Sequence, residues 1–148
     1  MKAIKEFKEF IKEGIVKRQS PDKSRSEFLI KEAEQDYNYL LELIKKIGIS
    51  DVNANNYVKN CYDILMELIR AKMLDEGYNA SGYYAHEAEV SFLRLLSFNE
   101  ADVQFADQMR FFRNGMLYYG TILDKEYAEK VISFTKENYN KLRKLLKK

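Results

Sequence analysis

The chain has 148 residues, of which 46% are hydrophobic and 32% charged, which is typical of one folded domain and too apolar for a disordered chain. Its 25 basic and 23 acidic residues leave a formal charge of +2, which excludes an overall field that would by itself require nucleic acid or an anionic membrane as partner. The single cysteine, Cys61, excludes an internal disulfide and a cysteine-based zinc site, and we expect it to be buried in a helix.

The first predicted element is an amphipathic helix over residues 2–18, which we expect to pack on the rest of the domain. Its apolar residues recur at helical spacing between lysines and glutamates: Ile4, Phe7, Ile11 and Ile15. Because charges interrupt this segment, it lacks the apolar stretch of a signal peptide or membrane anchor, and no later segment reaches membrane-spanning length. We therefore expect a cytoplasmic protein with no membrane partner.

The second and third predicted helices are long. The second begins at Ser20-Pro21-Asp22, where a capping residue precedes a proline, or at a capping box that starts at Ser24. It ends near residue 47, since Gly48 supplies the left-handed residue that commonly ends a helix. The third ends at the sequence GYNASG, residues 77–82, which indicates a loop.

Three further helices complete the predicted fold. The fourth runs from about Tyr84 to Ser97 and is apolar on several sides, the fifth is capped by Asn99, and residues 121–124 open the sixth. No segment alternates convincingly at the strand period, and the connections are mostly short. The sequence therefore predicts an all-α fold in one domain over residues 1–148, an antiparallel up-and-down bundle of five to six helices.

The inventory of chemical groups excludes most standard active sites. One histidine, one cysteine and no glycine-rich phosphate loop leave no P-loop, no zinc-protease motif, no EF-hand loop and no nucleophile elbow. Neighbouring carboxylates, such as Glu87 and Glu89, are interpreted as solvated surface residues. We therefore expect no metal and no cofactor.

The segment Arg110–Gly120 places two arginines and an asparagine among apolar neighbours late in the fifth helix. Arg110 and Arg113 are three residues apart and share a helical face, where two guanidinium groups could bind a phosphate or a carboxylate. The alternative is a salt bridge to an acidic residue on another helix, because arginine is costly to bury without a partner. Gly115, inside this helix, indicates a close helix crossing.

Several segments together resemble the HEPN family, helical domains that are often paired with minimal nucleotidyltransferases in prokaryotes and occur in many RNA-cleaving toxins. The matching segments are spread over most of the chain: Glu13-Gly14, Ser20-Pro21-Asp22, the Gly77 loop leading to His86-Glu87-Ala88, and Arg113-Asn114 before the final helix. Only the last of them belongs to the family's functional signature. The resemblance implies a HEPN-like bundle, a homodimer and metal-independent RNA cleavage at a site that two protomers share.

In active members of the family, an arginine, a polar residue, three variable residues and a histidine form the site. On this chain Arg113 and Asn114 match the first two positions, whereas Tyr118 stands in place of the histidine. A histidine can move the proton of a ribose 2′-hydroxyl while the arginine holds the phosphate. A phenol with a pKa near 10 is ionised to only about one part in a thousand at pH 7, so tyrosine is a poor base. Gly120 occupies the place of the tyrosine that toxin members use to accept adenylate, and we expect no adenylylation there.

His86 is the only histidine in the chain, and we expect it to act as a cap or a buried hydrogen-bond partner near the start of the fourth helix. Most tyrosines fall on the predicted core stripes. Tyr78, Tyr83 and Tyr84 flank the predicted loop and are the best candidates for stacking on unpaired bases.

Three functions remain open on the sequence. The first is a HEPN-like homodimer that binds RNA or a nucleotide through Arg110 and Arg113, with Arg113, Asn114 and Tyr118 as the remnant of a cleavage motif. The second is an active metal-independent ribonuclease, as in a toxin–antitoxin pair with a nucleotidyltransferase, that uses Tyr118 or His86 as its base. The third is a non-catalytic partner subunit of a nucleotidyltransferase, whose arginines are neutralised by internal ion pairs.

Overall fold

A computed structural model describes residues 3–146 and confirms the predominantly helical fold. Within these residues the elements, in chain order, are α1 (Phe7–Lys12), β1 (Val16–Arg18), α2 (Lys23–Ile47), α3 (Ala54–Asp75), β2 (Tyr78–Ala80), α4 (Ala85–Ser91), a 3₁₀ segment (Phe92–Leu96), α5 (Glu100–Tyr118) and α6 (Lys125–Leu146). No helix in this part of the chain has the length and apolarity needed to cross a membrane.

The four long helices alternate in direction along the chain, as an up-and-down bundle requires. The hydroxyl of Ser26, near the start of α2, donates to the carbonyl of Ala71, near the end of α3 (3.0 Å). Along α5 and α6 the aromatic contacts run in opposite order, with Phe105 packed on Phe134 and Phe112 packed on Tyr127. The long helices therefore form the body of the bundle.

The third helix, α3, lies at the centre of the bundle and packs against α2, α5 and α6. Apolar residues from all of its faces belong to the core, among them Ile64, Leu68 and Ile69. Cys61 is buried here, as expected from the sequence. Burial raises the pKa of its thiol to about 11, so the sulfur stays protonated and has little reactivity.

Of the predicted helix over residues 2–18, only Phe7–Lys12 is helical, so the prediction is wrong for residues 3–6 and beyond Lys12. Its first residue lies outside the described part of the chain. Gly14 takes a φ of +78°, which turns the chain out of α1 and into β1. This strand pairs antiparallel with β2, so the predicted loop over residues 77–82 contains a strand. We refer to residues 4–18, which include α1 and β1, as the N-terminal arm.

The predicted fourth helix is divided into α4 and the 3₁₀ segment, and Leu95 of that segment is exposed instead of facing the core. The 3₁₀ segment holds the N-terminal arm in place. The guanidinium of Arg94 donates to the backbone carbonyls of Ile4 (2.8 Å) and Lys5 (2.7 Å).

The segment between α5 and α6 is fixed to α3 by one side chain. The amide of Asn55 donates to the carbonyl of Thr121 (2.8 Å) and accepts from the backbone N–H of Leu123 (2.8 Å). The predicted helix crossing at Gly115 is wrong. The atoms nearest to a Cβ at this position belong to Thr121, which lies in the segment after α5 and not in another helix, and the Cβ would collide with its side chain. The glycine makes room for the chain as it leaves its own helix.

Candidate functional site

A cleft of about 550 Å³ opens beside the C-terminal half of α5, where this helix faces α3 and α4. We call it the arginine cleft. Its lining includes every site residue predicted from the sequence, which are Arg110, Arg113, Asn114 and Tyr118. The neighbouring helices also contribute to it, among others with Tyr62 of α3 and His86 of α4. The site prediction missed Tyr62, which does not lie near Arg113 in the sequence, and it considered His86 only as the alternative base of an active ribonuclease.

Arg113 makes the interhelical salt bridge that the sequence left as an alternative. Its Nε donates to Oδ1 of Asp63 on α3 (3.0 Å), and its guanidinium carbon lies 5.7 Å from the centre of the Tyr62 ring. Among residues 3–146, however, nothing accepts a hydrogen bond from its two terminal nitrogens. The donors of these nitrogens remain available to a ligand.

Arg110 is held by carboxylates in a similar way. Its Nε donates to Oδ1 of Asp107 (2.6 Å), and Oε1 of Glu87 lies 3.6 Å from its Nη1. Burial would lower the pKa of Arg110, but the hydrogen bond and charge of Asp107 outweigh this effect and raise it. Asp107 itself is buried, so this ion pair fixes the guanidinium at its Nε edge.

Tyr62 reaches the cleft from α3, but only 4% of the residue is exposed. Its hydroxyl has no hydrogen-bond partner in the described part of the chain, although the charges of Arg110, Arg113 and Glu89 act on it. Burial, followed by the charge of Glu89, raises the pKa of the phenol, so the hydroxyl keeps its proton. An unpaired buried hydroxyl costs about 1–3 kcal/mol, which a ligand atom at this position would recover.

Glu89 is buried, and its interpretation as a solvated surface residue is wrong. Its carboxylate accepts two hydrogen bonds from Arg70 of α3, at 2.6 and 3.0 Å, while Nδ1 of His86 lies 3.2 Å from Oε1. Burial opposes ionisation of Glu89, but the hydrogen bonds from His86 and Arg70 outweigh it and leave the pKa lowered. Glu89 is therefore ionised, and its ion pair with Arg70 fixes the carboxylate that contacts His86.

His86 makes a hydrogen bond with Glu89, as expected from the sequence. It does not cap α4, however, and it is not buried, since 61% of its side chain is exposed. The spacing of His86 and Glu89, three residues apart in a helix, was a signal for this pair. What the sequence did not show is that α4 packs against α5 and brings the imidazole into the cleft that Arg113 lines.

The outer rim of the arginine cleft is exposed. Asn114 and Tyr118 are both exposed, and the neighbouring tyrosines Tyr83 and Tyr119 also line the cleft. Tyr84 packs edge-on against Tyr83, with ring centroids 5.0 Å apart. Tyr78, in contrast, packs against core phenylalanines and is not available for stacking on a base.

A group of carboxyl oxygens from Glu32, Asp36 and Glu67 lies outside the arginine cleft, with the oxygens within 4.8 Å of one another. Oxygen ligands of this kind suit a hard divalent cation. Burial raises the pKa of Glu67 to about 8, and a hydrogen bond with Asp36 contributes to the shift. A proton shared between Glu67 and Asp36 therefore accounts for their proximity.

No family model matches the chain, and neither the curated proteins nor the solved structures contain a match.

Proposed function

We propose that the arginine cleft binds a phosphate group of RNA or of a nucleotide, in a HEPN-like homodimer whose family cleavage motif is degenerate. The observation that carries this proposal is that Arg110 and Arg113 line one cleft and keep their terminal nitrogens free of hydrogen bonds within residues 3–146. Guanidinium groups bind phosphate oxygens through such pairs of N–H donors.

The carboxylates around the arginines limit the strength of this binding. Asp63, Glu87 and Asp107 lie against the two guanidinium groups, so the free cleft is not strongly positive. Asp63 and Asp107 contact the Nε edges and orient the guanidinium planes, while their charges repel a phosphate. We therefore expect an RNA chain, which makes several contacts at once, to bind better than inorganic phosphate.

The residue at the family's histidine position supports binding without cleavage. Tyr118 is exposed at the end of α5 and lines the cleft. Because a tyrosine is a poor base near neutral pH, position 118 supplies no efficient proton transfer. Its ring, with that of Tyr119, instead suits stacking on an unpaired base.

The homodimer is supported by exposed apolar side chains at the end of α5 and in the segment that follows it. Leu117, Tyr118, Tyr119 and Ile122 are all more than half exposed. Grouped aromatic and aliphatic side chains of this kind are typical of protein interfaces. A two-fold contact at this end of α5 would bring two arginine clefts together.

The binding proposal is tested with a short, labelled, unstructured RNA in low salt. Arg143→Ala is a matched control, because Arg143, like Arg113, pairs with a carboxylate and lies 5.7 Å from a tyrosine ring. The exposed fraction of its side chain is 25%, against 27% for Arg113. We expect Arg113→Ala to weaken RNA binding about 10-fold or more, and Arg143→Ala to leave it unchanged. We expect Asp63→Asn to strengthen binding, because it removes a repulsive charge and keeps the shape. Equal affinities for all three variants would refute the proposal.

The internal ion pairs favour a second candidate, a non-catalytic partner subunit of a nucleotidyltransferase. In this function Arg113–Asp63 and Arg110–Asp107 only stabilise the bundle. Asp63→Asn then lowers the melting temperature and has no effect on RNA binding. Co-purification of a nucleotidyltransferase, with no measurable affinity for RNA at low salt, would support this candidate against the first.

A further inference from the structure

A second open groove, of about 580 Å³, lies on the outer surface between α5 and α6. We call it the α5–α6 groove. Its lining includes two partly buried phenylalanines and four exposed charged residues: Phe105, Phe134, Glu126, Glu129, Lys130 and Glu137. It shares no lining residue with the arginine cleft, so the two sites are separate.

The groove forms because α5 and α6 both pack on α3 and make little backbone contact with each other. Aromatic side chains fill the space between them, with the ring centroid of Phe105 lying 4.6 Å from that of Phe134 and 6.2 Å from that of Tyr127. The hydroxyl of Tyr127 also donates to Oε1 of Gln108 on α5 (2.9 Å), which fixes the floor from both helices. Partly exposed rings between two helices suit the apolar face of another helix.

The rim of the groove is negatively charged. Glu126, Glu129 and Glu137 are exposed on α6, and within residues 3–146 none of them takes part in an ion pair, whereas glutamates on α2 pair with a lysine or an arginine. Lys130 is the one basic residue among the described lining residues, so three negative charges and one positive charge leave a net charge of −2. An apolar floor with a negative rim is complementary to an apolar surface that is flanked by basic side chains.

The spacing of the glutamates matches the length of a short helix. From residue 126 to residue 137, α6 rises by about 16 Å, which is three helical turns. A helix in the groove presents side chains three and four positions apart to the phenylalanine rings, and lysines or arginines beside this face reach the carboxylates through their flexible stems. Both walls of the groove are helices, so an extended peptide finds no strand edge with which to pair.

We propose that the α5–α6 groove is the docking site of a partner protein that binds through an amphipathic helix rich in lysine or arginine. The apolar residues of that helix cover Phe105 and Phe134, and its basic residues pair with the three glutamates of α6. The same glutamates repel nucleic acid and an anionic membrane surface, which are therefore unsuitable occupants. Docking here does not depend on the phosphate binding proposed for the arginine cleft.

The probe for this site is a fluorescent peptide of about 14 residues, long enough to cover the three glutamates, in which leucines form one face of a helix and lysines the other. One comparison peptide has glutamate in place of lysine. The other has the leucines and lysines in an order without an apolar face. Fluorescence anisotropy measures the binding of each peptide to the full chain. We expect only the amphipathic lysine peptide to bind, and its affinity to fall as the salt concentration is raised.

Charge reversals test where the peptide binds. Glu129→Lys and Glu137→Lys each replace an attraction by a repulsion, and we expect each to weaken binding about 5-fold or more. Glu27→Lys is the matched control, because Glu27 is an exposed glutamate of α2 that has no ion pair within residues 3–146. All three variants change the net charge equally, so a difference between them reports the position of the peptide. Thermal melting checks that each variant is folded.

Three results would overturn the proposal: no binding of the lysine peptide, equal binding of either comparison peptide, or an equal loss of affinity in Glu27→Lys. The remaining occupant is a second copy of the chain. Conversion of a dimer to a monomer by Glu137→Lys, measured by light scattering, would show that the groove is a subunit interface and would also overturn the proposal. RNA binding, measured in the same variants, should not weaken, which keeps this test independent of the arginine cleft.

Discussion

At the residue scale, Glu67 holds its proton in the folded protein because burial disfavours its charged form, and because ionisation would also place a second negative charge beside Asp36. Its Oε1 is buried without a hydrogen-bond partner in the described residues, which adds to the cost of a charge there. Glu32 and Asp63 also bring negative charge close to it. Ionisation of Glu67 is therefore coupled to the stability of the contact between α2 and α3.

We predict that Glu67→Gln stabilises the protein more at high pH than at low pH. The pKa of Glu67 is raised to about 8 in the fold, so the unfolded chain loses this proton first and stability falls as the pH rises towards that value. Glutamine keeps the shape and carries no charge. The melting temperature of the variant should exceed that of the wild type by several degrees near pH 9 and by little near pH 5. Glu137→Gln, at an exposed position on α6, is the control and should show no such difference.

A second prediction at the same scale concerns Tyr118. Tyr118→His places a histidine at the position where the resemblance implies the base, on an exposed side chain that can change without disturbing the core. We expect the variant to cleave RNA faster than the wild type, and to remain active when combined with His86→Ala. The release of labelled fragments from an end-labelled, unstructured RNA measures this. An inactive double variant would show that position 118 does not lie close enough to the bound phosphate.

At the scale of the elements, the long helices follow from the sequence because their apolar residues keep one period for many turns. The same reasoning failed in the N-terminal arm. Phe7 and Phe10 are buried as the helical period requires, but Gly14 ends the pattern and Val16 becomes buried from a strand. A strand of three residues is too short to show alternation, and its partner is more than 60 residues away in the chain.

The candidate site was predictable only where its residues share one helix. Arg110 and Arg113 were identified from their spacing in α5, and both line the cleft. The acid that pairs with Arg113 comes from α3 and the imidazole in the same cleft comes from α4, and their approach depends on how the helices pack. Packing of this kind is a property of the whole core, which no local pattern shows.

The pairing of β1 with β2 depends on Gly77, and we predict that Gly77→Ala destabilises the protein by about 2–4 kcal/mol. Its φ is +81°, and a Cβ would lie 2.5 Å from the carbonyl oxygen of Gln19. Gly82→Ala is the matched control, because Gly82 has a φ of +90° and no atom within 4 Å of its Cβ position. Urea denaturation should show a larger loss for Gly77→Ala than for the control. Equal losses would mean that backbone strain alone, and not the contact with Gln19, is responsible.

At the scale of the whole molecule, the proposed homodimer predicts that light scattering will give twice the chain mass of 17.5 kDa. Charged substitutions at Leu117, at the end of α5, and at Ile122, in the following segment, should convert the dimer to a monomer, because a buried unpaired charge is costly in an interface. Leu95→Arg, at an exposed position on the 3₁₀ segment, should leave the dimer intact. A wild-type protein that is monomeric at high concentration would exclude the two-fold arrangement.

The attachment of the N-terminal arm has a consequence for the order of folding. The arm binds partners that come late in the chain, since Arg94 holds the carbonyl of Ile4 from 90 residues away, whereas α2 and α3 are joined by a short connection. Closing the longer loop costs more entropy, so we expect the helical hairpin to form first and the arm to dock last. On the ribosome, Phe7 and Phe10 are made long before the residues that cover them. During synthesis this segment therefore offers a chaperone an apolar binding sequence.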